Sequence, residues 1–190
     1  MGLFPHAHLL VYPKSDFISG NYMIKGVVFD FDGTLTELTL DFEHLRTEIE
    51  KVARQYVGDE DIKSQEGQYV IEMIYWVEGR IGEQADSFRR EAFVRLRELE
   101  MEASSGKDVY PYTRDVLRRL REKGMQIGVI TRSHVDVLTL VFQDIKSYVD
   151  TIVTRDEVRE VKPHPKHGTE VLRLLGVAPE EAILVGDHPT

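Results

Sequence analysis

Four short runs of β-branched and other apolar residues constrain the fold of this chain more than any other feature. Each run is continuous rather than alternating, as is typical of strands that helices cover on both faces of a parallel sheet. Between the later runs, apolar residues recur at helical spacing, so that strands and helices alternate along the chain. The sequence therefore predicts an α/β fold, with a parallel sheet and helices on both faces. The predicted strands cover residues 25–30, 126–131, 150–154 and 182–187.

Helical patterns predict the rest of the organisation. Apolar residues recur every three or four positions over 113–123, 134–143 and 166–175. The stretch 37–106 contains no convincing strand and shows three further helical patterns, which start near Phe42, Val70 and Phe88. We therefore expect a helical insertion within an α/β core. The predicted boundaries are an N-terminal extension at 1–22, a core at 23–36 and 107–190, and the insertion at 37–106.

Composition excludes several classes of function. The chain of 190 residues carries 24 Lys and Arg against 33 Asp and Glu, a net charge of −9, which argues against nucleic acid or an anionic membrane as partner. It has no cysteine, which excludes disulfides and thiolate metal sites and suits a reducing cytoplasm. No apolar run approaches the ~20 residues of a membrane span. The start of the chain lacks the pattern of a signal peptide. We predict a cytoplasmic protein and make no prediction of its oligomeric state.

The richest local motif is Asp30-Phe31-Asp32-Gly33-Thr34-Leu35, directly after the first predicted strand. The i, i+2 spacing turns both carboxylates to one side, at the strand end where ligands bind in open α/β sheets. Two carboxylates this close repel each other unless a cation intervenes, and a hard divalent ion such as Mg²⁺ suits oxygen ligands. Alternatively, one carboxylate acts as a nucleophile while the other moves protons. A turn in which Asp32 and Thr34 bind only backbone donors is the structural alternative.

This motif resembles the signature of the haloacid dehalogenase-like superfamily, whose members are mostly Mg²⁺-dependent phosphotransferases. Three further segments resemble the remaining signatures, in the same order and each near a predicted strand end. They are Ile130-Thr131-Arg132, Val161-Lys162-Pro163 and Gly186-Asp187. The resemblance implies a Rossmann-like core, and it implies that residues 37–106 form a small helical cap like that of phosphoglycolate-phosphatase-like members.

The resemblance also implies the catalytic roles. Asp30 attacks phosphorus and forms an aspartyl phosphate, and Asp32 protonates the leaving oxygen and later deprotonates water. Thr131 offers a hydroxyl to the phosphoryl group, and Lys162 supplies a positive charge beside it. Asp32 argues against hydrolytic dehalogenation, which does not need this second acid.

Further residues complete the predicted substrate and metal sites. Substrate-binding donors are expected from the turn at Phe31 and Gly33 and from Arg132, in addition to Thr131 and Lys162. The implied Mg²⁺ site consists of Asp30, Asp32 through its backbone carbonyl, and Asp187. The family has a second acid three or four residues after the position of Asp187. That acid would fall at or beyond Thr190, which leaves open whether the chain continues.

The predicted function is a Mg²⁺-dependent phosphatase that acts on a small phosphorylated metabolite. A sugar-phosphate mutase stays open, although the insertion has one histidine, His44, and no clear residue for returning a phosphoryl group. A catalytically decayed binding protein also stays open. A phospho-switch resembling a response-regulator receiver fits less well, because receivers have adjacent acids on their first strand.

Three histidines lie near the later motifs: His164, His167 and His188. Their spacing matches no standard zinc pattern, and the neighbouring carboxylates favour a hard ion. We therefore expect solvated loop histidines rather than a metal centre.

Overall fold

A computed structural model describes residues 23–187 and, for residues 9 and 10, the backbone. The strands are β1 (Leu9–Leu10), β2 (Gly26–Asp30), β3 (Gln126–Ile130), β4 (Thr151–Val153) and β5 (Ala182–Val185). The helices are α1 (Phe42–Ala53), α2 (Asp59–Lys63), α3 (Val70–Glu78), α4 (Ala85–Ala103), α5 (Thr113–Glu122), α6 (Val135–Val141) and α7 (Pro165–Leu175). Short 3₁₀ turns occur at Gly82–Gln84, Ile145–Ser147 and Pro179–Glu181.

The strands form one sheet in the order β1-β5-β2-β3-β4. β2 pairs in parallel with β3 and β5, and β3 pairs in parallel with β4. The four predicted strands are thus all present, each within two residues of its predicted ends. β1 pairs antiparallel with β5 and is not among the predicted strands, because two residues give no recognisable pattern. The rest of the predicted extension at 1–22 lies outside the described residues.

Alternate side chains of β2, the central strand of the sheet, pack in two separate apolar cores. Val27 and Phe29 pack in a cluster with residues of α5 and α6, whereas Val28 packs in a second cluster with residues of α7. Successive side chains of a strand point to opposite faces, so both faces of the sheet are covered. This burial on both sides explains why the strands read as continuous apolar runs.

The chain divides into two compact units. One contains the chain up to Leu38 and from Ser105 onward, and the other is Thr39–Ser104. In the second unit α1, α3 and α4 pack against one another. Their contacts bury apolar residues at helical spacing: Leu45, Ile49, Val52, Ile71, Ile74, Val77, Phe88, Ala92, Leu96 and Leu99. No helix in the described part of the chain is long and apolar enough to cross a membrane.

The helical unit differs from the sequence prediction in two details. The pattern that begins at Phe42 extends to Tyr56, but α1 ends at Ala53. Tyr56 still packs its ring edge-on against Phe88, with centroids 5.2 Å apart, so the apolar spacing continues past the helix end. The short helix α2 was not predicted, because among its five residues only Ile62 is buried.

The close packing of β3 against α7 provides a stability test. A Cβ on Gly128 would lie 2.7 Å from Cγ2 of Val171 and 3.1 Å from Cδ1 of Leu175. We expect Gly128→Ala to lower the free energy of unfolding by about 1–3 kcal/mol, because the added methyl overpacks a filled core. Chemical denaturation measures this change.

Gly168 in α7 provides the matched control, since no atom beyond its chain neighbours and the backbone of its own helix lies within 4 Å of a Cβ placed there. Gly168→Ala should raise the free energy of unfolding by about 0.5–1 kcal/mol through helix propensity. Equal effects of the two substitutions would contradict the packing argument.

Candidate active site

Three neighbouring parallel strands bring the predicted site residues to one edge of the sheet. In the register of the sheet, Asp30 lies opposite Ile130, and Phe29 lies opposite Val185. The strands therefore end almost level, and the residues that follow them emerge side by side. This is the edge where open α/β sheets bind ligands.

Asp30 ends β2 and is held by two donors. Nζ of Lys162 lies 2.6 Å from Oδ1 of Asp30, and the backbone N–H of Phe31 donates to the same oxygen at 2.7 Å. Both side chains of the ion pair are largely buried, with 13% of Lys162 and 18% of Asp30 exposed. A charge-assisted contact in such surroundings is screened less than a surface pair. Lys162 therefore fixes the orientation of the Asp30 carboxylate and balances its charge.

A tight turn follows Asp30 and presents Asp32 on the same side. The backbone N–H of Leu35 donates to the carbonyl of Phe31 at 2.9 Å, and Gly33 adopts a positive φ of 80°. Oδ2 of Asp32 accepts a hydrogen bond from Oγ of Ser133 at 2.8 Å and a longer one from Oγ1 of Thr131 at 3.4 Å. Asp32, in the turn after β2, is thus connected to the loop that follows β3.

Burial raises the pKa of Asp32 above its usual value. The hydrogen bond from Ser133 and the charge of Lys107 oppose that shift, and the neighbouring Asp30 carboxylate adds to it. A raised pKa increases the protonated fraction near neutral pH, which is the form that a general acid needs. Asp30 and Asp32 therefore lie in different surroundings, one paired with a lysine and the other desolvated.

Lys162 is itself positioned by a buried histidine. Nδ1 of His167 accepts from the backbone N–H of Lys162 at 3.0 Å, and its Nε2 lies 3.0 Å from the carbonyl oxygen of Val153. Since Nδ1 accepts, Nε2 carries the proton and donates to Val153. The expectation of solvated histidines is therefore wrong for His167, which is fully buried in α7, whereas His188 lies outside the described residues. Desolvation lowers the pKa of His167 to about 4, and the charges of Lys162 and Arg132 add to the effect.

Asp187 follows β5 and lies against the turn after β2. A Cβ on Gly33 would overlap the carboxylate of Asp187, with Cγ only 2.5 Å away. A Cβ on Gly186 would lie 3.6 Å from Cβ of Asp30. Only a residue without a side chain leaves room at position 33 for the acid, which explains the glycine in the motif.

The donor set fits a hard divalent cation. Asp30 and Asp187 supply carboxylate oxygens at adjacent strand ends, and the backbone carbonyl of Asp32 lies in the turn between them; oxygen donors of this kind suit Mg²⁺. Among residues 23–187, no group of three or more His, Asp or Glu side chains is arranged to hold a metal ion. The predicted set contains two carboxylates and a carbonyl, so this finding does not bear on it.

The remaining predicted binding residues are held in place by packing and by hydrogen bonds within the chain. The Phe31 side chain is fully buried in the core, and its backbone N–H donates to Oδ1 of Asp30. The N–H of Gly33 donates to the carbonyl of Thr36 at 2.9 Å, so the predicted donors of this turn are used within the turn itself. Thr131 is buried too, and its Oγ1 accepts from the N–H of Ser133 at 3.0 Å. The carbonyl of Arg132 accepts from Nη1 of Arg155 at 3.0 Å. Arg155 thereby braces the loop that follows β3.

Sequence reasoning missed three residues that complete this arrangement: Lys107, Ser133 and His167. Ser133 lies two residues after Thr131, and this spacing is the one signal that could have found it. Lys107 lies 75 positions from Asp32, and Nζ of this lysine is 3.6 Å from Oδ1 of the acid. No local pattern connects positions so far apart in the chain.

Comparison with known proteins gives a consistent result. A family model described as haloacid dehalogenase-like hydrolase matches residues 24–190. Pyrophosphatase PpaX of Bacillus cereus strain AH820 is 30% identical over 171 residues, which cover 87% of this chain and 75% of the relative. Pyrophosphatase PpaX of Oceanobacillus iheyensis is 25% identical with the same coverage.

Two solved structures share the fold. A haloacid dehalogenase-like hydrolase from Bacteroides fragilis superposes with a TM-score of 0.56 at 23% identity, covering 87% of this chain and 79% of its own. CbbY from Rhodobacter sphaeroides, in complex with phosphate, gives a TM-score of 0.55 at 22% identity, covering 85% and 77%. These similarities confirm the predicted α/β fold.

The contact between Gly33 and Asp187 predicts a loss of metal binding. We expect Gly33→Ala to weaken Mg²⁺ binding roughly tenfold or more, because the new methyl displaces the Asp187 carboxylate. Isothermal titration calorimetry with Mg²⁺ measures the change.

Gly124→Ala is the control for backbone strain. Gly124 has a similar φ of 76°, but no atom lies within 4 Å of its Cβ position. Both variants carry the strain of a positive φ, and only Gly33→Ala should lose affinity. Equal Mg²⁺ affinity in the two variants would show that Asp187 does not take part.

The buried His167 predicts a specific pH dependence of stability. Its pKa is about 4 in the folded chain, against a usual value of 6.5, so the unfolded chain binds the proton first. The neutral His167 therefore contributes to the free energy of unfolding in full above pH 6.5, and this contribution is lost as pH falls towards 4. The total loss of stability is about 3 kcal/mol. Urea denaturation over this range should show a steeper loss for the wild type than for His167→Gln. Parallel curves would show that the histidine is not held neutral.

Proposed function

Because the chain belongs to the haloacid dehalogenase-like hydrolase family, we propose that it is a phosphatase that cleaves a small phosphorylated metabolite through an aspartyl-phosphate intermediate. Membership confirms the resemblance drawn from the four motifs and the predicted class of enzyme, a phosphoric monoester hydrolase. The main support for the proposal is that four side chains lie close together at one edge of the sheet: Asp30, Asp32, Thr131 and Lys162. These residues come from distant parts of the chain and share one cluster of contacts.

In the first step, a carboxylate oxygen of Asp30 forms a bond to phosphorus while the bond from phosphorus to the leaving oxygen breaks. Lys162, 2.6 Å from Asp30, holds the nucleophile in place and places a positive charge beside the incoming phosphoryl group. That local charge offsets the repulsion between an anionic substrate and a chain of net charge −9.

Asp32 moves a proton in each of the two steps. In its protonated form it gives a proton to the leaving oxygen, and its raised pKa favours that form. In the second step the ionised carboxylate takes a proton from water, and the water oxygen attacks phosphorus and releases phosphate from Asp30. The hydrogen bond from Ser133 holds Asp32 at its position through both steps.

Thr131 and the neighbouring backbone form the proposed cradle for the phosphoryl oxygens. The Thr131 hydroxyl already lies 3.4 Å from Asp32, at the edge where the substrate would bind. We propose the backbone N–H of Arg132 as a further fixed donor, whereas the N–H groups of Phe31 and Gly33 already donate to Asp30 and to the carbonyl of Thr36. Such donors stabilise charge that develops in the transition state.

Hydrolases of this family generally use a divalent metal ion, and we propose Mg²⁺ here. Asp30, the backbone carbonyl of Asp32 and Asp187 would hold it. When bound, the ion neutralises charge between the nucleophile and the phosphoryl group. We propose that the second unit, Thr39–Ser104, is a cap that restricts the choice of substrate. The absence of cysteine from the sequence favours a cytoplasmic location.

Inorganic pyrophosphate is one specific substrate to test, because relatives with up to 30% identity carry the name pyrophosphatase. Sugar-phosphate mutase chemistry also uses two acids, but no contact of the described residues favours it over hydrolysis.

The nucleophile is tested by the isosteric substitution Asp30→Asn. We expect the rate of release of an aryl alcohol from its phosphate ester to fall by at least about 10³-fold, because the amide cannot attack phosphorus. Absorbance of the released alcohol measures the rate, with Mg²⁺ present and again after chelation, which should abolish activity reversibly.

Asp115→Asn is the matched control. Asp115 is 65% exposed on α5 and pairs only with Arg118 among the contacts described for it. This variant should keep wild-type activity. Full activity of Asp30→Asn would overturn the proposed role of Asp30.

A further inference from the structure

Lys107 is a buried lysine that the proposed mechanism does not use. Its position is fixed by backbone pairing next to the turn after β2. Val109 forms an antiparallel bridge with Thr36, and Thr36 is itself bridged to Asp32. Oγ1 of Thr36 donates to the carbonyl of Asp108 at 2.8 Å. This segment therefore delivers Lys107 to the turn that carries Asp32.

The Lys107 ammonium and one oxygen of Asp32 face each other without a hydrogen bond. Nζ of Lys107 lies 3.6 Å from Oδ1 of Asp32, and only 8% of the lysine side chain is exposed. Neither atom has a hydrogen-bond partner within the described part of the chain. Buried polar groups in native proteins are nearly always satisfied, so an unsatisfied ammonium in a site indicates a group that binds there.

The positions of Nζ of Lys107 and Oδ1 of Asp32 indicate which part of a substrate would bind to them. Lys162 and Thr131 lie where the transferred phosphoryl group would bind. Asp32, as the proton donor, faces the leaving oxygen. Lys107 pairs with Asp32, whereas Lys162 pairs with Asp30, so Lys107 lies on the side of the leaving group rather than that of the nucleophile.

We infer that Lys107 binds an anionic oxygen on the leaving group, so that the substrate carries a second negative charge close to the bond that breaks. This inference rests on the proposed function and narrows its substrate class. A carboxylate on a phosphorylated hydroxy acid and the second phosphate of a diphosphate share this chemistry. A lysine suits either, since it presents a compact charge with three donors. A neutral alcohol would leave the ammonium with only the Asp32 carboxylate, 3.6 Å away, and with no anionic partner on the substrate.

The test compares leaving groups in wild type and in Lys107→Met, which keeps the length of the side chain and removes its charge. The probes are pyrophosphate and 2-phosphoglycolate, with anionic leaving groups, and glycerol 2-phosphate, with a neutral one. We expect kcat/KM to fall about 10- to 100-fold on one anionic probe, while the value for glycerol 2-phosphate changes less than about threefold. The probe that shows the loss distinguishes phosphate from carboxylate.

Two further variants keep the result interpretable. Lys107→Arg retains the charge and should recover part of the lost selectivity, which separates recognition from a folding defect. Lys123→Met removes an exposed lysine after α5 and should leave all three rates unchanged.

An equal loss on all three probes would overturn the inference, because Lys107 would then act only through Asp32. The proposed phosphatase function would survive that result. Activity on every probe that persists in Asp30→Asn would instead overturn the proposed function, and the inference with it.

Discussion

The parallel register of β2 with β3 and β5 is the constraint on which the site depends. It sets Asp30 level with Ile130 and sets Phe29 level with Val185, so the next residues along each strand emerge at one edge. The apolar packing on both faces fixes that register, because a slip of one residue would turn Val27 and Phe29 out of their core. Burial of the apolar core thus stabilises a cluster of charged groups that would not form without it.

Crowding of charge at this edge explains much of the local structure. The carboxylates of Asp30 and Asp32 lie two residues apart, and different contacts compensate each of them for the loss of water. Asp30 has the Lys162 ammonium at 2.6 Å, whereas Asp32 has a hydroxyl donor, a more distant lysine and a raised pKa. His167 adds a neutral support for Lys162, and its low pKa keeps a further positive charge out of the cluster.

Patterns along the chain predicted the sheet and most of the site, because they are local. The run 26–30 and the acids after it lie within one short segment, as do Thr131 and its strand. Contacts between distant positions had no such signal: Lys107 reaches Asp32 through a backbone bridge to Thr36, and Nε2 of His167 reaches the carbonyl of Val153 in β4. The prediction for His167 was wrong because its burial against Val153 of β4 cannot be seen from its neighbours in sequence.

Chemical trapping of the phosphorylated carboxylate tests the proposed role of Asp30 most directly. Borohydride added during turnover would reduce an acyl phosphate to an alcohol, and peptide mass spectrometry would locate the modified residue. We expect substrate-dependent conversion at Asp30, and none there without substrate. Conversion at a different carboxylate, or none during steady hydrolysis, would contradict it.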